Sequence, residues 1–544
     1  IDANATVVRD AIDRTAGSTV NPAKDNILSG NAIDGIAITG DLSFDRTWEP
    51  VGLNYVIMDN VDVGIGKTLT IQPGVQIRFK GTSLVSQAGS RIIAEGTEAE
   101  PIVFTSLYEG GGSIQPGPGD WSGLQLNGCI ASNDPSTCSR LKHVKLRYAG
   151  SSGATQAASI KVTANGVSID HAEISLGTGA GVLFENATGA LTNSVIRKMG
   201  LDGVVIKVTG TNLSTPDLSN LRVEECATIL HMDANAQPIV TGLTYADNRM
   251  NGLVVDGTIS RQGPVRWGRA AAPYIIGANN FTVGTNATLL IDAGTVVKSD
   301  AGRGLSVARN GALTAPAPGS GSDPIILTSL RDDSACAIAD SQSPNHEDSC
   351  DTNNDGSLSR PGPGDWIGIE YVSQATSMLL DHVTLDYAGL RGQALRIEAE
   401  RAVIKNSKIR WSQSNGVLVL PPSNVSGDPL QFNGNLVEGC LGTGMVLNSQ
   451  WQPVTYKIVI ENNRFIRNAR SIEHKAKGPT EFRNNVAIGN GQDAMLYCAE
   501  IATSQVWSRD LVREMDCTLS IKQQLKLEAG TVLRLRDVSE VRVD

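Results

Sequence analysis

The sequence predicts an all-β chain built as a parallel β-solenoid, with a short capping segment ahead of its first rung. Three observations lead there. A long string of landmarks occurs twice and begins a third time. Within each copy a glycine separates two short strands of alternating apolar residues. Between the landmarks run shorter units, each made of brief β-branched stretches broken by Asn or Gly.

The first copy reads Trp48, TLTIQPGVQIRF from Thr68, PIVFTSL from Pro101, PGPGDW ending at Trp121 and LKHVKLRYAG from Leu141. The second reads Trp267, TLLIDAGTVVKS from Thr288, PIILTSL from Pro324, PGPGDW ending at Trp366 and LLDHVTLDYAG from Leu379. In register, Leu69, Leu289 and Leu525 share a column, as do Ile71, Ile291 and Leu527, and Ile77, Val297 and Leu533. Apolar residues two apart place one side of each strand in a core. Gly74, Gly294 and Gly530 stand where the chain must turn sharply and a side chain would be costly. They lie 220 and 236 residues apart, so each copy must hold many turns of chain.

Those smaller turns are visible as GVSIDHAEIS from Gly166, RAVIKNSKIRW from Arg401, IVIENNRFIRN from Ile458 and TEFRNNVAIGN from Thr480. Almost no sustained helical apolar period follows the first twenty or so residues, which excludes a βαβ arrangement. The adjacent asparagines in ENNR and RNNV are expected to stack as an amide ladder at a rung corner. Taken together, the order of landmarks resembles the right-handed parallel β-helix proteins that bacteria secrete or display, whose architecture is pectate-lyase-like. The resemblance covers roughly residues 35 to 544 and implies the fold. It implies no activity, because one fold hosts many functions.

The chain divides into a cap or docking segment at 1–34, a first large repeat at 35–266, a second at 267–506 with an insertion at 331–360, and the start of a third at 507–544. NATVVRDAIDRTAG from Asn4 has the pattern of a short amphipathic helix, suited to covering an open solenoid end or docking on another chain. The chain starts at Ile1 without methionine or signal peptide, and the third copy reaches Asp544 before its later landmarks; a processed start and a longer natural chain are expected. Charged residues make up 19% and the formal net charge is −10, which argues against a nucleic-acid partner. No apolar run is long enough to be a transmembrane segment.

The eight cysteines sort by position. Cys129 with Cys138, Cys336 with Cys350, and Cys498 with Cys517 read as local disulfides and hence as an oxidising, extracellular or cell-surface setting. Cys226 and Cys440 fall in matching contexts and are expected to be buried thiols. The insertion contains SCDTNNDGSLS, in which Asp351, Asn353, Asp355 and Gly356 match the start of a calcium loop. Ser357 would supply a carbonyl and Ser359 the ninth position, while Gly362 stands where a bidentate Glu is usual. Asp365, or one of Asp332, Asp333, Glu347 and Asp348, would complete a structural Ca2+ shell.

Catalytic signatures are absent. His143 and His382 are equivalent in the two HV-x-L-x-YAG strings, and His171 has a similar context, so these residues are expected to hold turns. The remaining histidines lack zinc spacing. Hydrolysis of a glycan would need carboxylates gathered on one face, and acidic residues cluster only in the insertion. Five of seven tryptophans fall in repeat columns, leaving Trp411 and Trp451 as possible sugar contacts. The expected function is a non-enzymatic, extracellular structural or adhesive β-helix, with protein partners or self-assembly at its ends or N-terminal segment. The alternative is a polysaccharide-binding or polysaccharide-degrading one.

Overall fold

The computed structural model describes residues 35–543 except 111–112, 132–133, 151–156, 211–213, 278–279, 317–322, 337–349, 372–374, 422–429, 450–455 and 537–538. The segment 1–34, Glu347, Asp348 and Trp451 therefore lie outside the described residues. The chain forms two compact units, one up to Leu253 and one from Val254. Among the described residues the only helical piece is the 3-10 turn Pro135–Thr137.

In the first unit each turn of chain lays one strand on each of three faces. Arg46–Trp48, Tyr55–Ile57 and Val61–Val63 come in succession, on a first, second and third face. Thr68–Ile71 then returns beside Arg46–Trp48, Gln76–Phe79 beside Tyr55–Ile57, and Ser83–Ser86 beside Val61–Val63, all parallel. The second unit repeats the plan. Thr288–Ile291 pairs with Pro264–Trp267, Val296–Ser299 with Tyr274–Ile276, and Leu305–Val307 with Phe281–Val283.

The alternation read from the sequence places Leu69, Ile71, Ile77, Phe79, Leu289 and Ile291 inside, each almost wholly buried. The turn glycines Gly74, Gly294 and Gly530 share a left-handed conformation, with φ of 80°, 77° and 86°. Trp48 stacks on Tyr55 and Trp267 on Tyr274, each with ring centroids 5.1 Å apart. Trp121 donates its indole N–H to the Arg147 carbonyl and Trp366 to that of Asp386, each at 2.8 Å. The Trp121 and Trp366 column thus packs with its one polar atom satisfied, whereas the buried Trp48 indole N–H has no hydrogen-bond partner.

Where the first face meets the second, several successive turns pass through a single left-handed residue. These are His143, His171, Asn193 and Asn220 in the first unit, and His382, Asn406, Gly434, Asn462 and Asn484 in the second. The turn-holding reading of His143, His171 and His382 is what the backbone shows, with φ of 44°, 52° and 59°. Such a conformation costs a non-glycine residue about 1–2 kcal/mol, offset here by hydrogen bonds between rungs. The His143 N–H donates to the Asp170 carbonyl and the His171 N–H to that of Thr192, each at 3.1 Å.

The residue after the corner is filled differently in the two units. In the second, the buried Asn435 amide donates to Asn463 at 3.1 Å, Asn463 to Asn485 at 3.0 Å, and Asn485 to the Asp510 carboxylate at 3.1 Å. An outer ladder runs alongside, from Asn484 to Asn462 to Asn433. This is the amide stacking that ENNR and RNNV suggested. In the first unit the same position holds Ala172 and Ser194, whose hydroxyl accepts the Ala172 N–H at 3.0 Å.

The three disulfides join Cys129 to Cys138, Cys336 to Cys350 and Cys498 to Cys517, with Cα atoms 4.0, 4.3 and 5.8 Å apart. Cys226 and Cys440 are buried free thiols, and burial pushes their thiols up to about 11 and about 12.

Candidate functional site

Outward residues on the second face of the first unit carry charges of both signs on neighbouring rungs. Strands Val144–Arg147, Glu173–Ser175, Val195–Arg197 and Arg222–Glu224 stack in register, placing Lys145 opposite Glu173, Val195 opposite Arg222 and Arg197 opposite Glu224. One turn earlier, the corner is not a single residue but a loop containing Thr97, Glu98 and Pro101, which forms a wall. That loop can close over its neighbour because residue 96 is glycine; a Cβ there would lie 2.8 Å from the His143 carbonyl oxygen. The result is an open groove of about 710 Å³, lined by the corner residues His143, His171 and Asn193 as well as the charged strands.

The groove is tightly cross-bonded. Lys145 lies 3.5 Å from Glu173, Arg197 bonds the same carboxylate, and Arg222 bonds Glu224. Burial raises the Glu173 pKa, but the Arg197 hydrogen bond and the Lys145 charge outweigh it and hold the carboxyl below its usual range. At the rim the rings of His143 and His171 lie 4.7 Å apart. His171 Nδ1 is 2.9 Å from Asp170. Burial opposes ionisation of Asp170, yet hydrogen bonds from Asn193, His171 and Thr192 bring it down to about 2.

The insertion brings part of its expected ligand set together. Carboxylate oxygens of Asp333, Asp351 and Asp355 all lie within 4.8 Å of one another. The Asp351 carboxylate accepts the N–H groups of Asp355 and Gly356 at 3.1 and 2.7 Å, so the loop curls about it. Asn353 donates to Asp355 at 2.7 Å and to Ser359 at 3.0 Å. The side-chain oxygens Asn353 Oδ1 and Asp333 Oδ1 are buried without a hydrogen-bond partner. Ser357 is exposed. Burial and the Asp351 carboxylate push Asp333 up to about 6. Beneath lies the buried Lys298 ammonium, donating to the carbonyls of Asp332 and Cys350 at 2.8 Å each, and burial pushes it down to about 8.

Asp365 lies apart from that cluster. Its carboxylate accepts from Ser329 Oγ at 2.6 Å and the Gly362 N–H at 3.0 Å and contacts Arg331 at 3.2 Å. Asp120 does the same in the first copy, with Ser106 at 2.5 Å and Gly117 at 2.9 Å. The Asp of PGPGDW therefore ties that turn to the TSL serine. Trp411 is a half-buried corner residue with φ 55°. It stacks on Tyr387 at 4.8 Å, and the Arg410 guanidinium lies 4.3 Å over its ring. Arg410 in turn holds the buried Asp386 through two bonds of 2.9 and 2.6 Å.

Of the groove residues His143 and His171 stood out in the sequence, as turn residues, while the charged ones were not singled out. The signal was present, since stacking VKLR, EIS, VIR and RVE in register brings charges of both signs onto one face.

A family model described as a pectate-lyase-like β-helix domain matches residues 40–173, and one described as a right-handed β-helix region matches residues 370–505. The chain is a right-handed parallel β-helix of pectate-lyase-like architecture. The β-helix matches none of the curated proteins. Among solved structures it is similar to the PL6 family alginate lyase AlyGC, at 11% identity over 94% of this chain and 98% of that one, with a TM-score of 0.26. It is also similar to the periplasmic alginate epimerase AlgG, at 9% identity over 91% and 77%, with a TM-score of 0.15. At these TM-scores the likeness carries no argument about function.

Proposed function

We propose that this β-helix is an extracellular glycan-binding protein whose site is the groove on the second face of the first unit. The supporting observation is the groove itself: hydrogen-bonding groups of both signs recur on successive rungs, at a spacing of about 4.8 Å that is close to the length of one sugar along a chain. An extended polysaccharide running along the rungs thus meets a charged donor or acceptor at each of them. Three disulfides fit an oxidising compartment. Among the described residues no helix is long and apolar enough to cross a membrane.

Affinity electrophoresis in gels containing soluble polysaccharides tests the assignment. Retention of the wild type should be lost in Lys145→Ala/Arg222→Ala and reduced in His171→Asn, a change that keeps a residue tolerant of the left-handed corner. Retention unchanged in the double variant sinks the assignment. Turnover is a second reading, favoured by the His171–Asp170 contact, which resembles a base and its orienting carboxylate. It predicts new reducing ends on incubation with the retained polysaccharide, abolished by His171→Asn.

The insertion is proposed to hold a structural Ca2+. Asp333, Asp351 and Asp355 would bind it with the Asn353 side-chain oxygen, a set of hard oxygen donors suited to that ion. The ion would relieve the mutual repulsion of the three carboxylates.

A further inference from the structure

We propose that the groove takes an uncharged glycan and discriminates against polyuronates; this rests on the reading of the groove as a glycan site. The charged groups lining it are Lys145, Arg197 and Arg222 against Glu98, Glu173 and Glu224. Three positive charges meet three negative ones. Each of the three cations lies within bonding distance of Glu173 or Glu224.

A polyuronate would bring a carboxylate with every sugar. Exposed ion pairs are weak, worth about 0–1 kcal/mol, so such a ligand could displace Glu173 from Arg197. Displacement does not help it. The released Glu173 stays in the groove, Glu224 stands opposite Arg197 on the next rung, and Glu98 lies on the wall. Recruiting Arg222 takes the ion-pair partner from Glu224, and recruiting Lys145 or Arg197 leaves Glu173 with one partner in place of two, so in each case the ligand's charge lies beside a less compensated carboxylate of the protein. Like-charge opposition of this kind sets specificity by rejecting the wrong partner.

An uncharged sugar meets no such conflict. A hydroxyl both donates and accepts, so neighbouring hydroxyls can bond a carboxylate and a guanidinium or ammonium of one pair without breaking it. The sugar's apolar C–H face is matched by Val195 and the adjacent rings of His143 and His171.

The test is retention of the full chain on dextran, laminarin and xyloglucan against alginate and polygalacturonate, at low and moderate NaCl. The expected result is retention by at least one neutral polysaccharide that changes less than about twofold with salt, since no net charge is being screened, and none by the polyuronates. The variant Glu173→Gln/Glu224→Gln should gain polyuronate retention that falls as salt rises. Polyuronate binding by the wild type that is lost in Lys145→Ala/Arg222→Ala would overturn this inference and leave the groove assignment standing. No retention on any of the five would overturn both. A Gln double variant indifferent to polyuronates would overturn the charge-balance argument.

Discussion

The corner between the first and second faces is built on one backbone plan in both units and filled in two ways. In the second unit it is consolidated inward, by Asn435, Asn463 and Asn485 ending on Asp510, and outward by the amide ladder of Asn484, Asn462 and Asn433. In the first unit the interior carries Val144, Ala172, Ser194 and Leu221, with no amide among them, and the exterior carries a groove walled by the 96–101 loop. Left-handed corners and parallel ladders are common to both. The difference teaches that the rungs supply position, and that binding depends on which side chains a rung turns outward.

The largest expected effect bears on the inward half of that contrast. Asn463→Ala leaves the buried Asn435 N–H without its acceptor and takes one partner each from the Asn435 and Asn485 amides, and should cost roughly 3 kcal/mol. Ser194→Ala at the equivalent place should cost about 1 kcal/mol. Urea unfolding of the two variants decides it, and equal losses would break the comparison.

A second contrast is set by a buried histidine. His474 lies inside the second unit, stacked on Tyr497 at 4.5 Å with neither ring nitrogen hydrogen-bonded. Burial brings its pKa down to about 3. An unfolded histidine titrates near 6.5, so between those values the unfolded chain binds more protons and stability falls as pH falls. At pH 5 the loss should be about 2 kcal/mol relative to pH 7. His474→Phe should remove it, which melting curves across that range would show. Among the described residues the first unit buries no histidine comparably.

Calcium comes next. At tenfold its dissociation constant it should stabilise the second unit by about 1.4 kcal/mol, and Asp351→Asn should abolish the response in a thermal melt. No calcium response in the wild type would remove the ion from the account. The smallest effect is on stability at the groove: Arg222→Ala, which breaks an exposed pair, should cost less than about 1 kcal/mol while lowering glycan affinity at least tenfold.

The fold was legible because buried columns leave a strict trace. Leu69 with Leu289, Gly74 with Gly294 and Trp48 with Trp267 must match for rungs to stack, and the ENNR and RNNV pairs mark the amide ladder directly. The groove was much less legible. Its residues face solvent, where packing demands nothing, and Lys145, Glu173, Arg197 and Glu224 become neighbours only once the register between rungs is known. The insertion was legible in part: spacing identified Asp351, Asn353 and Asp355, whereas Asp333 joins them from across the loop. Asp365 looked available because its pairing with Ser329 spans 36 residues of chain.

Hydrogen exchange of the chain bound to its most strongly retained polysaccharide tests the central claim most directly. Protection confined to residues 142–147, 171–175, 195–197 and 222–224 is the predicted result. Protection centred on 408–412, at the Trp411 corner, with the groove strands unchanged, would contradict it.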